Sequence, residues 1–361
     1  MLSYMAAALG ILSPSESSPP SHTSPTNHKN GFKRMSLRLR SRGWLDRENE
    51  LFILIPRNAT ATCNIIFFPG DVQDFQTNMA TGPFADYSDY AYESVAELLS
   101  KKFGNTCNVW IVRPHRFKHG AYSSFDNFLT TNEYGAATKY DATGSSTKHL
   151  ASLMQNTQIL LRRQGVNVST VLPIRLLGFS KGGIVLNQLV TELVRYSFNK
   201  KRSNSGQVRH GSVFASTRQF FAAIQSIHWL DPGNGSLKGT MPLEEAALAV
   251  LARYKQVNYL WFLCVHLQLF VHVTPYQYNS RDRAWIKTEV ENFIKKMKLR
   301  GADSKLIVYN EGGKGSLASH FHILNDFEVD RPSKLNGDRL LRPRSPERIN
   351  FAFEPKTLII R

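Results

Sequence analysis

Cysteine is scarce in this chain: Cys63, Cys107 and Cys264 are the only 3 among 361 residues. They form no CxxC pair, and an odd, sparse set is a poor framework for a secreted disulfide fold or a zinc ribbon. The sequence therefore predicts reduced, buried thiols and no metal centre. Acidic residues are also short, 28 against 45 Lys and Arg, which leaves a formal net charge of +17. That charge favours approach to anionic surfaces but does not determine fold. The excess sits in Lys33 to Arg42, Lys200 to His210 and the tail from Arg331, with no aromatic-basic recognition motif beside it. These segments read as solvated surface, and no nucleic-acid partner is expected.

Long apolar runs are missing as well. Only Val257 to Val273 approaches membrane hydrophobicity, and Asn258, His266, Gln268 and His272 interrupt it. It reads as a buried strand with its preceding helix, so no transmembrane segment is expected. Met1 to Leu12 lacks the positively charged leader of a secretory signal, which leaves the sequons at Asn58, Asn167 and Asn234 without significance. Ser13 to Asn30 is dense in Ser, Pro and Thr, and Lys33 to Arg42 is basic with no acidic residue. Residues 1–43 are expected to be disordered, either a plain tail or a segment of organellar transit character.

What remains is ample for a core, with 42% hydrophobic residues. From Glu50 onward short β-rich runs alternate with longer helical patterns, the mark of a mostly parallel central sheet flanked by helices. Strands are expected at Leu51 to Ile55, Asn64 to Phe68, Asn108 to Val112, Ile174 to Leu177, Ala223 to His228, Leu267 to Val273 and Leu306 to Tyr309. Helices are expected at Tyr92 to Phe103, Thr147 to Gln164, Gly183 to Tyr196, Leu243 to Tyr254 and Ala284 to Leu299. The expected organisation is one α/β domain over residues 44–330 and a basic C-terminal tail, 331–361. In open sheets of this type ligands gather beyond the carboxyl ends of the strands.

One such strand end carries the strongest motif. Ile174 to Leu177 reads as a buried strand, Gly178-Phe179-Ser180-Lys181-Gly182 as a G-x-S-x-G turn, and Gly183 onward as an apolar helix. At that turn a serine is held in a strained backbone position near a helix amino end, where free N–H groups favour negative charge. Ser180 is the expected nucleophile. Its base should follow the last strand, and His320 is preferred to His322 in Ser316-Leu317-Ala318-Ser319-His320-Phe321-His322. For the acid, Asp282 is preferred over the alternative Asp231. Oxyanion donors are expected at the N–H of Lys181 and in Pro69-Gly70-Asp71-Val72, from Asp71 or Val72. His115 and His119 have a spacing that suits metal on a helix, but Pro114 and cationic neighbours argue against it. No cofactor is called for.

Phe67-Phe68-Pro69-Gly70-Asp71-Val72-Gln73, the elbow, and Ser316-Leu317-Ala318-Ser319-His320-Phe321 together resemble a eukaryotic, mitochondria-associated family of serine-hydrolase-like proteins. The resemblance covers roughly residues 50–326. It implies the α/β-hydrolase fold, a Ser/Asp/His centre with Ser180 as nucleophile and His320 as base, and a mitochondrial rather than a cytoplasmic address. It names no substrate. Two functions follow as expectations: a serine hydrolase cleaving an ester, thioester or amide through an acyl-enzyme, or a non-catalytic module that binds a protein partner or ligand through the same cleft.

Overall fold

The computed structural model describes residues 34–57, 59–197, 220–258 and 263–329. Its centre is a sheet of 8 strands in the order β1-β2-β4-β3-β7-β8-β11-β12. These are β1 (Arg34–Arg42), β2 (Glu48–Pro56), β3 (Cys63–Phe68), β4 (Cys107–Val112), β7 (Ile174–Phe179), β8 (Ile224–Leu230), β11 (Gln268–Val273) and β12 (Ser304–Val308). β2 is antiparallel to β1 and β4, and the sheet is parallel from β4 to β12. β3 and β4 are buried at every position, as strands covered on both faces must be. Two small hairpins lie outside the sheet: β5 (Arg116–Lys118) with β6 (Tyr122–Ser124), and β9 (Lys255–Asn258) with β10 (Leu263–His266).

The helices are α1 (Gln76–Met79), α2 (Tyr92–Lys102), α3 (Ser145–Arg163), α4 (Gly183–Ser197), α5 (Glu245–Arg253), α6 (Pro275–Tyr278), α7 (Trp285–Leu299) and α8 (Leu317–Asp326). One sheet face, with Ile53, Ile66, Trp110, Leu176, Trp229 and Val271, joins α3, α4, α5 and α7 in a continuous core. The other face carries Phe179, which packs against Phe321 of α8, and His228, which packs against Phe103 and Phe327. This strand order, with one antiparallel strand near the edge and helices on both faces, is the α/β-hydrolase fold.

Several elements depart from expectation. Residues 34–42, assigned to a disordered leader, form β1. Met35, Leu37 and Leu39 alternate there with Arg34, Arg38 and Arg40, the period of a strand with one solvated face. Arg38 and Arg42 pair with Glu50 and Glu48 on β2, and Arg34 pairs with Glu97. The helix and single strand read into Leu243 to Val273 become α5 followed by three strands, β9, β10 and β11. Two of the cysteines are not thiols: Cys63 and Cys107 are joined by a disulfide. Their strands are neighbours in a register that sets these two residues opposite each other. The side chain of Cys264, the segment around Lys200 to His210 and the tail 331–361 lie outside the described residues. Among the described residues no helix is long and apolar enough to cross a membrane.

Candidate functional site

Four parallel strands end close together. Phe68 of β3 lies beside Gly178 of β7, Phe179 beside Leu230 of β8, and Leu230 beside His272 of β11. The residues that follow these strands, Pro69, Ser180, Asp231 and Thr274, therefore leave the sheet along one edge, and sequence-distant loops converge there.

Ser180 sits at the turn between β7 and α4 with φ 51°. A non-glycine residue in that left-handed region is strained and persists only where packing holds it. The glycines around it are obligatory. A Cβ on Gly178 would come within 2.7 Å of the Gly182 carbonyl oxygen, one on Gly182 within 2.0 Å of that of Phe68, and one on Gly70 within 2.8 Å of the Ser180 Cβ. The Ser180 carbonyl accepts the Gly233 N–H at 3.2 Å, which ties the turn to the loop after β8.

His320 lies in the first turn of α8, which Ser316 and Ser319 close with a reciprocal capping box. Its ring is held between Phe179 and Tyr276, each centroid 4.6 Å away. Burial pushes the Tyr276 phenol up to about 12, with Arg283 opposing the shift. His320 Nδ1 is 2.6 Å from Asp231 Oδ2. Asp231 is fully buried, has φ 43°, and accepts from the Thr274 N–H at 2.7 Å and the Thr274 hydroxyl at 2.6 Å. Those donors and the imidazole offset the cost of burying its carboxylate.

The aspartate beside His320 is thus Asp231, and the preference for Asp282 is corrected. Asp282 lies in a single exposed turn, Arg281–Arg283, beyond α6. The chain after β11 enters α6 at once, capped by Thr274, and that helix carries Asp282 away from the strand edge. His322, two residues after His320, is exposed and packs on Tyr90. Sequence reasoning missed Thr274 and Tyr276 altogether. Their one signal was position, directly after β11 at the ligand-binding edge.

The loop after β3 holds the two residues proposed as oxyanion donors in different hydrogen-bonding states. The Val72 N–H donates to the Ala121 carbonyl at 2.9 Å, so Val72 is not available as a donor. The Gly70 N–H is likewise engaged by Gln73 Oε1 at 2.9 Å. The Asp71 N–H has no acceptor among the described residues. Lys181, the residue after Ser180, lies in the opening helical turn Ser180–Gly182, where backbone N–H groups lack intrahelical acceptors. Its side chain is almost fully buried and pairs with Asp71.

His115 and His119 are exposed on and beside the β5–β6 hairpin, and His119 packs against Tyr122 and Tyr134. Among the described residues no group of His, Cys, Asp or Glu is arranged to hold a metal ion. His228 and His272 form a buried pair on neighbouring strands, 3.3 Å apart. Burial and the neighbouring His272 hold His228 well below the usual imidazole range.

The C2orf69 family model matches residues 40–172 and 169–303, most of the chain. The chain belongs to the C2orf69 family. Curated relatives include the mitochondrial protein C2orf69 homologue of Danio rerio, 28% identical over 276 residues and covering 73% of each chain. The homologue of Mus musculus is 25% identical, over 77% of this chain and 82% of its own. The Homo sapiens protein is 24% identical, over 72% of this chain and 73% of its own. All three are named as mitochondrial, which is the address of this family. Among solved structures, esterase Est22 matches 81% of this chain and 75% of its own at a TM-score of 0.41 and 11% identity. An acylaminoacyl peptidase of Pyrococcus horikoshii matches 81% of this chain and 38% of its own at 0.41 and 14%. No residue role follows from likenesses of that order.

Proposed function

We propose that this protein is a serine hydrolase that cleaves an ester, thioester or amide through an acyl-enzyme on Ser180. The observation that carries the reading is the buried 2.6 Å contact between His320 Nδ1 and Asp231 Oδ2, with the imidazole stacked on Phe179, the residue before a serine held at positive φ on a strand-to-helix turn. With Nδ1–H donated to the carboxylate, Nε2 is the basic nitrogen, which is the state a general base needs.

The Ser180 hydroxyl gives its proton to His320 Nε2 as Oγ bonds the substrate carbonyl carbon. The carbonyl π electrons move to oxygen, where the N–H groups of Lys181 and Asp71 receive the negative charge. As the carbonyl re-forms, the bond to the leaving group breaks and His320 returns the proton to that group. Water then repeats both steps on the acyl-enzyme. Asp231 orients the imidazole and stabilises its charged form.

A fluorophosphonate probe tests this directly, because Ser180 Oγ would displace fluoride from phosphorus by the same proton transfer. Wild type should label, and Ser180→Ala and His320→Ala should not, with all three giving the same circular dichroism and melting behaviour. Folded wild type that stays unlabelled overturns the proposal and leaves a cleft that binds without reacting.

A further inference from the structure

We propose that Lys181 and Asp71 act as a clamp that sets the spacing of the two oxyanion donors, an inference that rests on the hydrolase reading above. These two residues supply the backbone N–H groups, and their side chains bind each other. Lys181 Nζ lies 2.9 Å from Asp71 Oδ1 and donates to the Tyr134 carbonyl at 2.7 Å. The ammonium also stands 5.0 Å from the Tyr122 ring centroid.

The Asp71 end is fixed in turn. Its Oδ1 accepts the Ser123 N–H at 2.8 Å, and the Ser123 hydroxyl donates to the Gly70 carbonyl at 2.7 Å. Gln73 Oε1 takes the Gly70 N–H, and Gln73 Nε2 donates to the Tyr90 carbonyl at 2.9 Å. Val72, at φ 61°, is held by its bond to Ala121. The groups on either side of the Asp71 N–H are thus anchored, while that N–H itself has no acceptor among the described residues.

Stability alone does not account for a charge here. The Lys181 side chain is only 3% exposed. A buried ion pair seldom outperforms well-packed apolar groups of the same volume, so methionine would fill the space without desolvating an ammonium. What the pair adds is geometry. It links the turn after β7 to the loop after β3 across the gap in which a developing oxyanion would sit. Misplacing such donors by about 1 Å can cost on the order of 100-fold in rate.

The test uses the full chain and the same fluorophosphonate, measuring the limiting rate of phosphonylation and the half-saturating probe concentration separately. In Lys181→Met and Asp71→Asn the limiting rate should fall about 10- to 100-fold. The half-saturating concentration should stay within about twofold; because each single variant leaves one charge of the pair without its partner, the melting temperature should fall, and rates are compared per folded protein. Because both variants break one link, the double variant should be no slower than the worse single one. Lys181→Arg, which keeps the charge, should recover part of the rate.

If wild type reacts at Ser180 and Lys181→Met reacts equally fast, the clamp is overturned and the hydrolase reading stands. A Lys181→Met protein that loses labelling only in proportion to lost folded fraction, with no recovery in Lys181→Arg, also overturns it. Wild type that never reacts removes the hydrolase reading and the clamp with it.

Discussion

Both oxygens of Asp231 are engaged, one by the Thr274 N–H and the other by the Thr274 hydroxyl and His320 Nδ1. Asp231 is therefore held by the residue that caps α6 as well as by α8. In Asp231→Asn the amide can present its NH2 to His320 and favour the wrong tautomer. Turnover of a p-nitrophenyl ester should fall about 10³- to 10⁴-fold. Asp282→Asn, on an exposed turn, should leave turnover unchanged. Equal losses in the two variants would reject the assignment.

Glu192 of α4 caps a helix other than its own. α3 has no side-chain cap of its own, and Glu192 instead accepts the N–H groups of Ser146 and Thr147 at 3.0 and 2.8 Å and the Thr147 hydroxyl at 2.6 Å. Glu192→Ala would orphan these buried donors and should lower unfolding free energy by about 2–4 kcal/mol in urea titrations. A change below about 0.5 kcal/mol would show that water or local rearrangement satisfies them.

Acid should weaken the fold through His149. Burial, aided by Arg47 and His115, lowers its pKa from 6.5 to about 3. Nδ1 accepts the Trp44 N–H at 3.1 Å, so protonation breaks that bond. The unfolded chain takes up the proton near pH 6.5 while the folded chain resists it until about pH 3. Stability is thus complete above pH 6.5 and is lost as pH falls toward 3, with a slope of up to about 1.4 kcal/mol per unit from this group. Urea midpoints from pH 7.5 to 4.5 should show the drop, and His149→Gln should flatten it.

With one disulfide joining two of the 3 cysteines, thiol titration of denatured, unreduced protein should find one reactive group per chain. Adding reductant should expose all three. The bridge closes a 44-residue separation, so reduction should cost about 2–4 kcal/mol of stability. Three thiols without reductant would show that the pair is open in solution.

The parts legible in the sequence were those written locally. Ser180 could be read because a sharp turn demands Gly178 and Gly182 within two residues of it, and β3 and β4 could be read because burial on both faces leaves a nearly continuous apolar run. The choice between Asp231 and Asp282 was not local. It depended on Thr274 capping α6 immediately after β11, which diverts the chain before Asp282 is reached. Asp71 and Val72 could not be separated, because nothing in their neighbourhood shows where the Val72 N–H points; Ala121, 49 positions on, accepts it. The disulfide did leave a trace. Cys63 and Cys107 each directly precede an expected strand, and pairing those strands in register would have set the sulfurs side by side. β1 was hidden by its charge, although its two-residue alternation was present.

The stack of Phe179, His320 and Tyr276 also restricts motion. With a ring on each of its faces and Nδ1 tied to Asp231, the imidazole cannot turn over without opening the stack, because a quarter-turn would drive it into the flanking rings. The identity of its two nitrogens is then set by the architecture and not renewed at each cycle. His320 can pass protons while staying in place.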